Sequence, residues 1–339
     1  MYVRRNIRWQ LIATFSWWRI LFYTAYGSGW VWIFHRLDHE GYDISMPFLP
    51  MSVIGIAVAF YIGFKNSQAY DRFWEGRKIW GGIVNYSRTW ANQVMSFVSN
   101  KHTDNPLSQE ELYAIHKEFI YRHIAWMNAL RLALRRPNDW SIKQKGAARR
   151  FQQKIYDEPD WENDVAFFMG QPECQIVQEN ANVAVQIIRK QGERLRQIVE
   201  NQGLVDDFRH MEMMRCLEEF YNLQGKCERI KNTPFPRQYG YFSRVFTWLY
   251  ILVMPLGLVG EFSKMGHGFE WLAIPFYVLI SWIFFTMENV GDNSEDPFDN
   301  SINDVPMSAL CRTIEIDLRQ MLGETELRPK VKPVHDVLM

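Results

Sequence analysis

Residues 46–64, MPFLPMSVIGIAVAFYIGF, run without one ionisable group, and the reading of this stretch decides the fold. About 20 apolar residues in a helix cross the ~30 Å hydrocarbon core of a bilayer. Three further uncharged runs, 20–34, 245–259 and 271–287, reach that length once their flanking aromatic residues are added. A buried helix of a soluble protein competes with each short run taken singly. Taken as a set of four, the runs predict a polytopic, all-α membrane protein.

The distribution of charge fits that prediction better than its total. Thirty-eight basic residues balance 38 acidic ones, which gives no basic footprint for nucleic acid. The slightly negative mean hydropathy averages over apolar ends and a charged middle. With four crossings, the outer loops 35–45 and 260–270 hold only Arg36 and Lys264 as Lys or Arg, whereas Arg4, Arg5 and Arg8 precede the first run. Positive charge marks the cytoplasmic side, so both termini and the middle of the chain belong there, in a multi-pass protein of the inner (plasma) membrane. Trp17, Trp18, Trp30, Trp32, Trp248 and Trp271 fall towards the ends of the runs, as an interfacial belt requires. No cleavable signal peptide is expected.

Four segments follow: 1–64 with the first two spans, a helical cytoplasmic region 65–244, the third and fourth spans at 245–290, and an acidic loop, helix and tail at 291–339. The second span lacks proline after Pro50 and is expected to continue as one helix beyond the membrane. Helices are also predicted over 108–135, 173–201 and 207–231, separated by breaks at Asn105-Pro106, Arg136-Pro137, Glu158-Pro159 and Gly170-Gln171-Pro172. Asp304 is expected to cap a last helix that runs through Met321 and stops at Gly323.

On the second span Gly55, Ala59 and Gly63 form a ridge of small residues that lets another helix come close. One position on, Ile56, Phe60 and Phe64 form a bulky apolar stripe about 100° away. Around a symmetry axis that stripe makes a hydrophobic constriction; on an isolated helix it equally suits lipid or a partner helix. Cys174, Cys216, Cys227 and Cys311 form no CxxC pair and read as inert thiols. His116 and His123 match neither HExxH nor a Glu-x-x-His pattern, and His35, His39 and His210 have no clustered ligands, so no enzyme is predicted.

The segments IGIAVAFYIGFKNSQAYDRFWEGRKIWGGIV, QGKCERIKNTPFPRQY and EDPFDNSINDVPMSALCRTIEIDLRQMLGE, in that order, resemble the bestrophin family of ion channels in its bacterial branch. The resemblance implies a homopentamer with one central pore, whose neck falls here on Ile56, Phe60 and Phe64. It also implies a second constriction on the helix before CERIKNTP, for which Met211 with neighbouring Phe208 is the candidate. Animal members hold calcium in an acidic clasp after a Pro-Phe pair. Pro297-Phe298 is present here, but Asp296, Asp299, Asn300 and Asp304 supply few carboxylates for an ion that takes six to eight oxygens. A solvated capping loop is therefore expected in place of a required calcium cofactor. Inward ring edges at Phe60 and Phe64 favour anions and inward faces favour cations; likeness to the animal neck tilts the expectation to small monovalent anions such as chloride. The competing readings are a non-conducting scaffold or sensor and a membrane enzyme.

Overall fold

Between Pro50 and Pro106 nothing in the chain interrupts a helix, and the computed structural model, which describes residues 1–42, 44, 46–138, 146–155, 158–266 and 268–339, carries one helix through most of that interval. Eleven α-helices lie among the described residues: α1 (Trp9–His39), α2 (Phe48–Phe97), α3 (Gln109–Arg135), α4 (Gly146–Ile155), α5 (Trp161–Asp164), α6 (Gln171–Gln178), α7 (Val183–Glu200), α8 (Asp207–Asn232), α9 (Arg237–Ser263), α10 (Ala273–Asp292) and α11 (Met307–Met321). With 50 residues, α2 is about 75 Å long and ties the molecule together.

Two apolar clusters divide the fold, and α2 runs past both. One joins α1, α9 and α10 through Tyr23, Val31, Ile251, Met254 and Tyr277. The larger sits among the polar helices: Trp80, Ile83 and Trp90 of α2 pack with Phe119 and Trp126 of α3, Ile187 of α7, Phe220 of α8 and Ile314 of α11. Stretches within 48–102, 237–263 and 269–292 are long and apolar enough to cross a membrane. At 31 residues α1 has the length, but Trp, Tyr, Gly, Ser and Arg19 dilute its aliphatic content and it falls short of the other three in apolarity.

Local chemistry sets the helix ends, and two of the expected ends move. Helix α3 opens with a capping box, in which Ser108 Oγ accepts from the Glu111 N–H at 3.2 Å and Glu111 accepts from the Ser108 N–H at 2.8 Å. The helix expected over 173–201 is two helices, because Asn182 turns aside to cap α7 by accepting from the Val185 N–H. Asp304 does not cap α11. That helix starts at Met307 after Pro306, and Asp304 instead accepts from Ser301 Oγ at 2.5 Å. Gly323 stops it at φ +81°, a conformation costly to any residue with a Cβ. The tail docks: Val337 and Met339 are buried in a small cluster with Ile155, Tyr2 and Phe151.

Candidate functional site

Helix α2 is buried along one side only. Met51, Gly55, Val58, Ile62, Lys65 and Ala69 are buried, followed on the same side by Gly76, Ile83, Ser87 and Val94. On the opposite side Ile56 is 70% exposed, Phe60 78% and Phe64 46%. Nothing among the described residues covers the first two. Phe64 leans on Tyr239 of α9, ring centroids 5.9 Å apart, and Tyr239 stacks in turn on Tyr61. The small-residue ridge divides: a Cβ at Gly55 would lie 2.6 Å from Tyr250 Oη of α9, Ala59 is half-buried, and Gly63 faces open space. On α8, Phe208 is 85% and Met211 58% exposed, so both are also uncovered in one chain.

Directly after the stripe comes a group of charges that the sequence reading passed over. Lys65 is fully buried, and its Nζ donates to Glu288 at 2.6 Å and to Asp292, both on α10. Ser243 donates to the second oxygen of Glu288 at 2.5 Å, and Arg244 pairs with Asp292. Beside it, Asn66 donates to the Met287 carbonyl at 3.0 Å. Three helices are thereby fastened one residue past Phe64. The signal was a lysine closing the second uncharged run and acids closing the fourth.

The loop after α10 is buried rather than solvated. Phe298 packs into the larger core, and its ring with Pro297 lies over Gly76 of α2, where a Cβ would meet both at 3.2–3.3 Å. Its acidic and amide groups are taken by the chain's own donors. Arg72 lies 3.5 Å from Asp296, Lys231 2.6 Å from Asp299, and Arg135 donates to the side-chain oxygen of Asn300. Asn300 takes φ +65°, which asparagine tolerates better than most residues. Burial pushes the Asp296 and Asp304 carboxyls up, and nearby Asp299 adds to both. These residues make a poor calcium clasp: Asp296, Asp299 and Asn300 already answer arginine and lysine, and Asp304 answers serine with one oxygen and keeps only the other buried without a hydrogen bond. Among the described residues no three His, Cys, Asp or Glu side chains converge for a metal.

Glu295 begins this loop. Burial first, then the charges of Asp296 and Asp292, push its carboxyl from 4.5 up to about 7, against the pull of Arg237 at 3.3 Å. A carboxyl raised by folding favours the folded state fully below its unfolded value, and that contribution drains away as pH climbs through the folded one. The thermal midpoint of the wild type should therefore fall as pH rises from about 4.5 to about 7. Glu295→Gln should flatten the profile over that window, and an unchanged slope in the variant would assign the fall to other groups.

His116 and His123 serve the core. His116 Nε2 bonds the Val98 carbonyl at 2.8 Å, and His123 Nε2 lies 2.8 Å from Ser87 Oγ in full burial, which lowers its pKa to about 3. All four cysteines are buried free thiols.

The family model described as Bacterial/Fungal Bestrophin protein matches residues 11–320. The voltage-dependent anion channel-forming protein YneE of Escherichia coli is 28% identical over 291 residues, 86% of this chain and 82% of its own. A voltage-dependent anion channel-forming protein of Mesorhizobium japonicum is 30% identical over 284 residues, 84% and 77% of the two chains. Among solved structures, a bacterial bestrophin homologue from Klebsiella pneumoniae superposes with a TM-score of 0.74 at 23% identity, over 92% of this chain and 99% of the other. That likeness shows the fold, and the family match spans most of the chain. This chain is a membrane protein of the bacterial and fungal bestrophin family.

Proposed function

We propose that copies of this chain, five by likeness to the family, assemble around one axis and conduct small monovalent ions passively, anions ahead of cations. One observation carries the proposal. Ile56 and Phe60 stand 70% and 78% exposed on a helix whose opposite side is buried from end to end. A single copy cannot enclose a channel, and symmetric closure is the economical way to cover a repeated face. The stripe then becomes a hydrophobic neck, with Ile56, Phe60 and Phe64 as successive rings. Met211 with Phe208 is the second constriction, on α8.

In this reading α1 also crosses the membrane, as the first of four spans. It packs along α10, with Tyr23 edge-on to Tyr277 at 6.3 Å, in the cluster shared with α9. Its aromatic richness suits the interfacial zones. The polar helices and both termini then lie in the cytoplasm of a cell whose inner membrane holds the protein. The anion preference rests on the likeness to voltage-dependent anion channel-forming proteins and on the two phenylalanine rings, whose edges carry the positive end of the quadrupole.

Recording from purified protein in a planar bilayer under asymmetric KCl tests the proposal. Unitary currents reversing towards the chloride potential support it. Reversal towards the potassium potential keeps the channel and overturns the anion preference. Silence across voltage, pH and calcium concentration favours a scaffold.

A further inference from the structure

The exposed side of α2 does not end at the neck. Asp71 follows Phe60 by eleven positions and Lys78 by eighteen, which at 3.6 residues per turn points both within about 20° of Phe60. Ser67, Asn85, Thr89 and Asn92 lie on the same side, and all six are exposed. The buried side keeps its phase through this interval, from Lys65 and Ala69 to Gly76, Ile83 and Val94, so the helix does not rotate away from the axis that the stripe faces. The side that is apolar at the neck is mostly polar below it, with exposed Trp74, in phase with Ile56, set among the polar residues. Most charges on neighbouring turns are engaged: Arg72 at Asp296, Glu75 at Arg229 and Arg88 at Asp317. Asp71 and Lys78 make no ion pair or side-chain hydrogen bond among the described residues.

We infer that Asp71 and Lys78 form two rings of opposite charge on the wall of a water-filled vestibule beneath the neck, and that the Asp71 ring restrains anion passage. This rests on the neck reading above and adds selectivity-setting residues to it. Asp71 is about 10 Å beyond Phe64 and Lys78 about 10 Å further, at 1.5 Å per residue. The Debye length is about 8 Å at physiological salt, about 30 Å at 0.01 M and about 3 Å at 1 M. At physiological salt the carboxylates, a little over one Debye length from Phe64, act weakly on an ion leaving the neck and the lysines, at more than two, hardly at all, and the carboxylates' action strengthens as salt is lowered. Anions are thinned at that mouth and cations are gathered there, which weakens the preference that the aromatic rings set.

The test is the reversal potential of purified wild type, Asp71→Asn and Lys78→Gln in planar bilayers under a KCl gradient, repeated at low and high salt. Both substitutions lie on exposed positions, and size-exclusion elution of each variant reports that the assembly is intact. Asp71→Asn should raise the chloride-to-potassium permeability ratio roughly fivefold near 0.01 M and hardly at all at 1 M, as screened Coulomb interaction requires. Lys78→Gln should move the ratio the other way and by less. A ratio unmoved at low salt in Asp71→Asn, while Phe60→Ala still alters conductance, overturns the vestibule and leaves the neck standing. If Phe60→Ala is silent as well, the neck reading has failed first. A shift that persists undiminished at 1 M overturns the electrostatic account.

Discussion

Phe60→Ala is expected to raise unitary conductance, and the double variant Ile56→Ala with Phe60→Ala on the order of tenfold, since each ~1.4 kcal/mol taken off a barrier is a factor of ten in rate. The assembly should keep its size. Both side chains are largely uncovered in the single chain, so truncating them leaves no internal cavity and costs little of the fold. In a closed ring they would narrow the path with apolar surface that sheds water, and shedding water is what a permeating ion resists. Phe64→Ala should behave differently. Its ring rests on Tyr239, which stacks on Tyr61, so truncation there also loosens the contact between α2 and α9. Single-channel amplitude with size-exclusion elution separates the outcomes. Unaltered amplitude with altered elution makes the stripe a contact between subunits, and no change in either makes it a lipid-facing surface.

The long second helix was legible because its cause is local. No proline interrupts it after Pro50, and an apolar run followed by charges at helical spacing has few other solutions. The start of α3, expected at 108, was legible for the same reason, and the structure shows its local cause in a serine and a glutamate three apart that cap it. Where the reading slipped, the deciding partner was remote or the residue had two uses. Asn182 ends a helical pattern by becoming a cap. Asp304 had the composition of a cap but is drawn inward with the loop that Phe298 anchors. The loop looked solvated because its acids are adjacent in sequence. Their cations, Arg72, Lys231 and Arg135, come from α2, α8 and α3 and become neighbours only in the fold. Exposure of the Ile56 and Phe60 stripe could be guessed from spacing, but that its opposite side stays buried for the length of α2 required the packing of α8, α9, α10 and α11 against it.

Lys65 is the extreme case of a remote partner, and Lys65→Met should be the most destabilising single change in the molecule's apolar half. The ammonium sits between Glu288 and Asp292, more than 220 residues away in the chain, with essentially no exposure to water. Methionine nearly matches the volume, so packing is preserved and the loss is electrostatic. Glu288 would keep only the Ser243 hydroxyl, and Asp292 only Arg244, whose side chain is more than half exposed. Removing one partner of a buried ion pair costs about 3–5 kcal/mol, because the other charge stays desolvated. Pairing Lys65→Met with Glu288→Gln removes most of the stranded charge and should recover more than half of the loss, a coupling that two independent sites would not show. Thermal unfolding of the purified variants reads the stability, and unitary current reads the second consequence. Lys65 directly follows Phe64 and, with Asn66, holds α2 against α10, so loosening it should broaden the distribution of conductance levels. If Lys65→Met unfolds at the wild-type temperature, the charges are solvated in the assembly and the three helices are held by apolar contact alone.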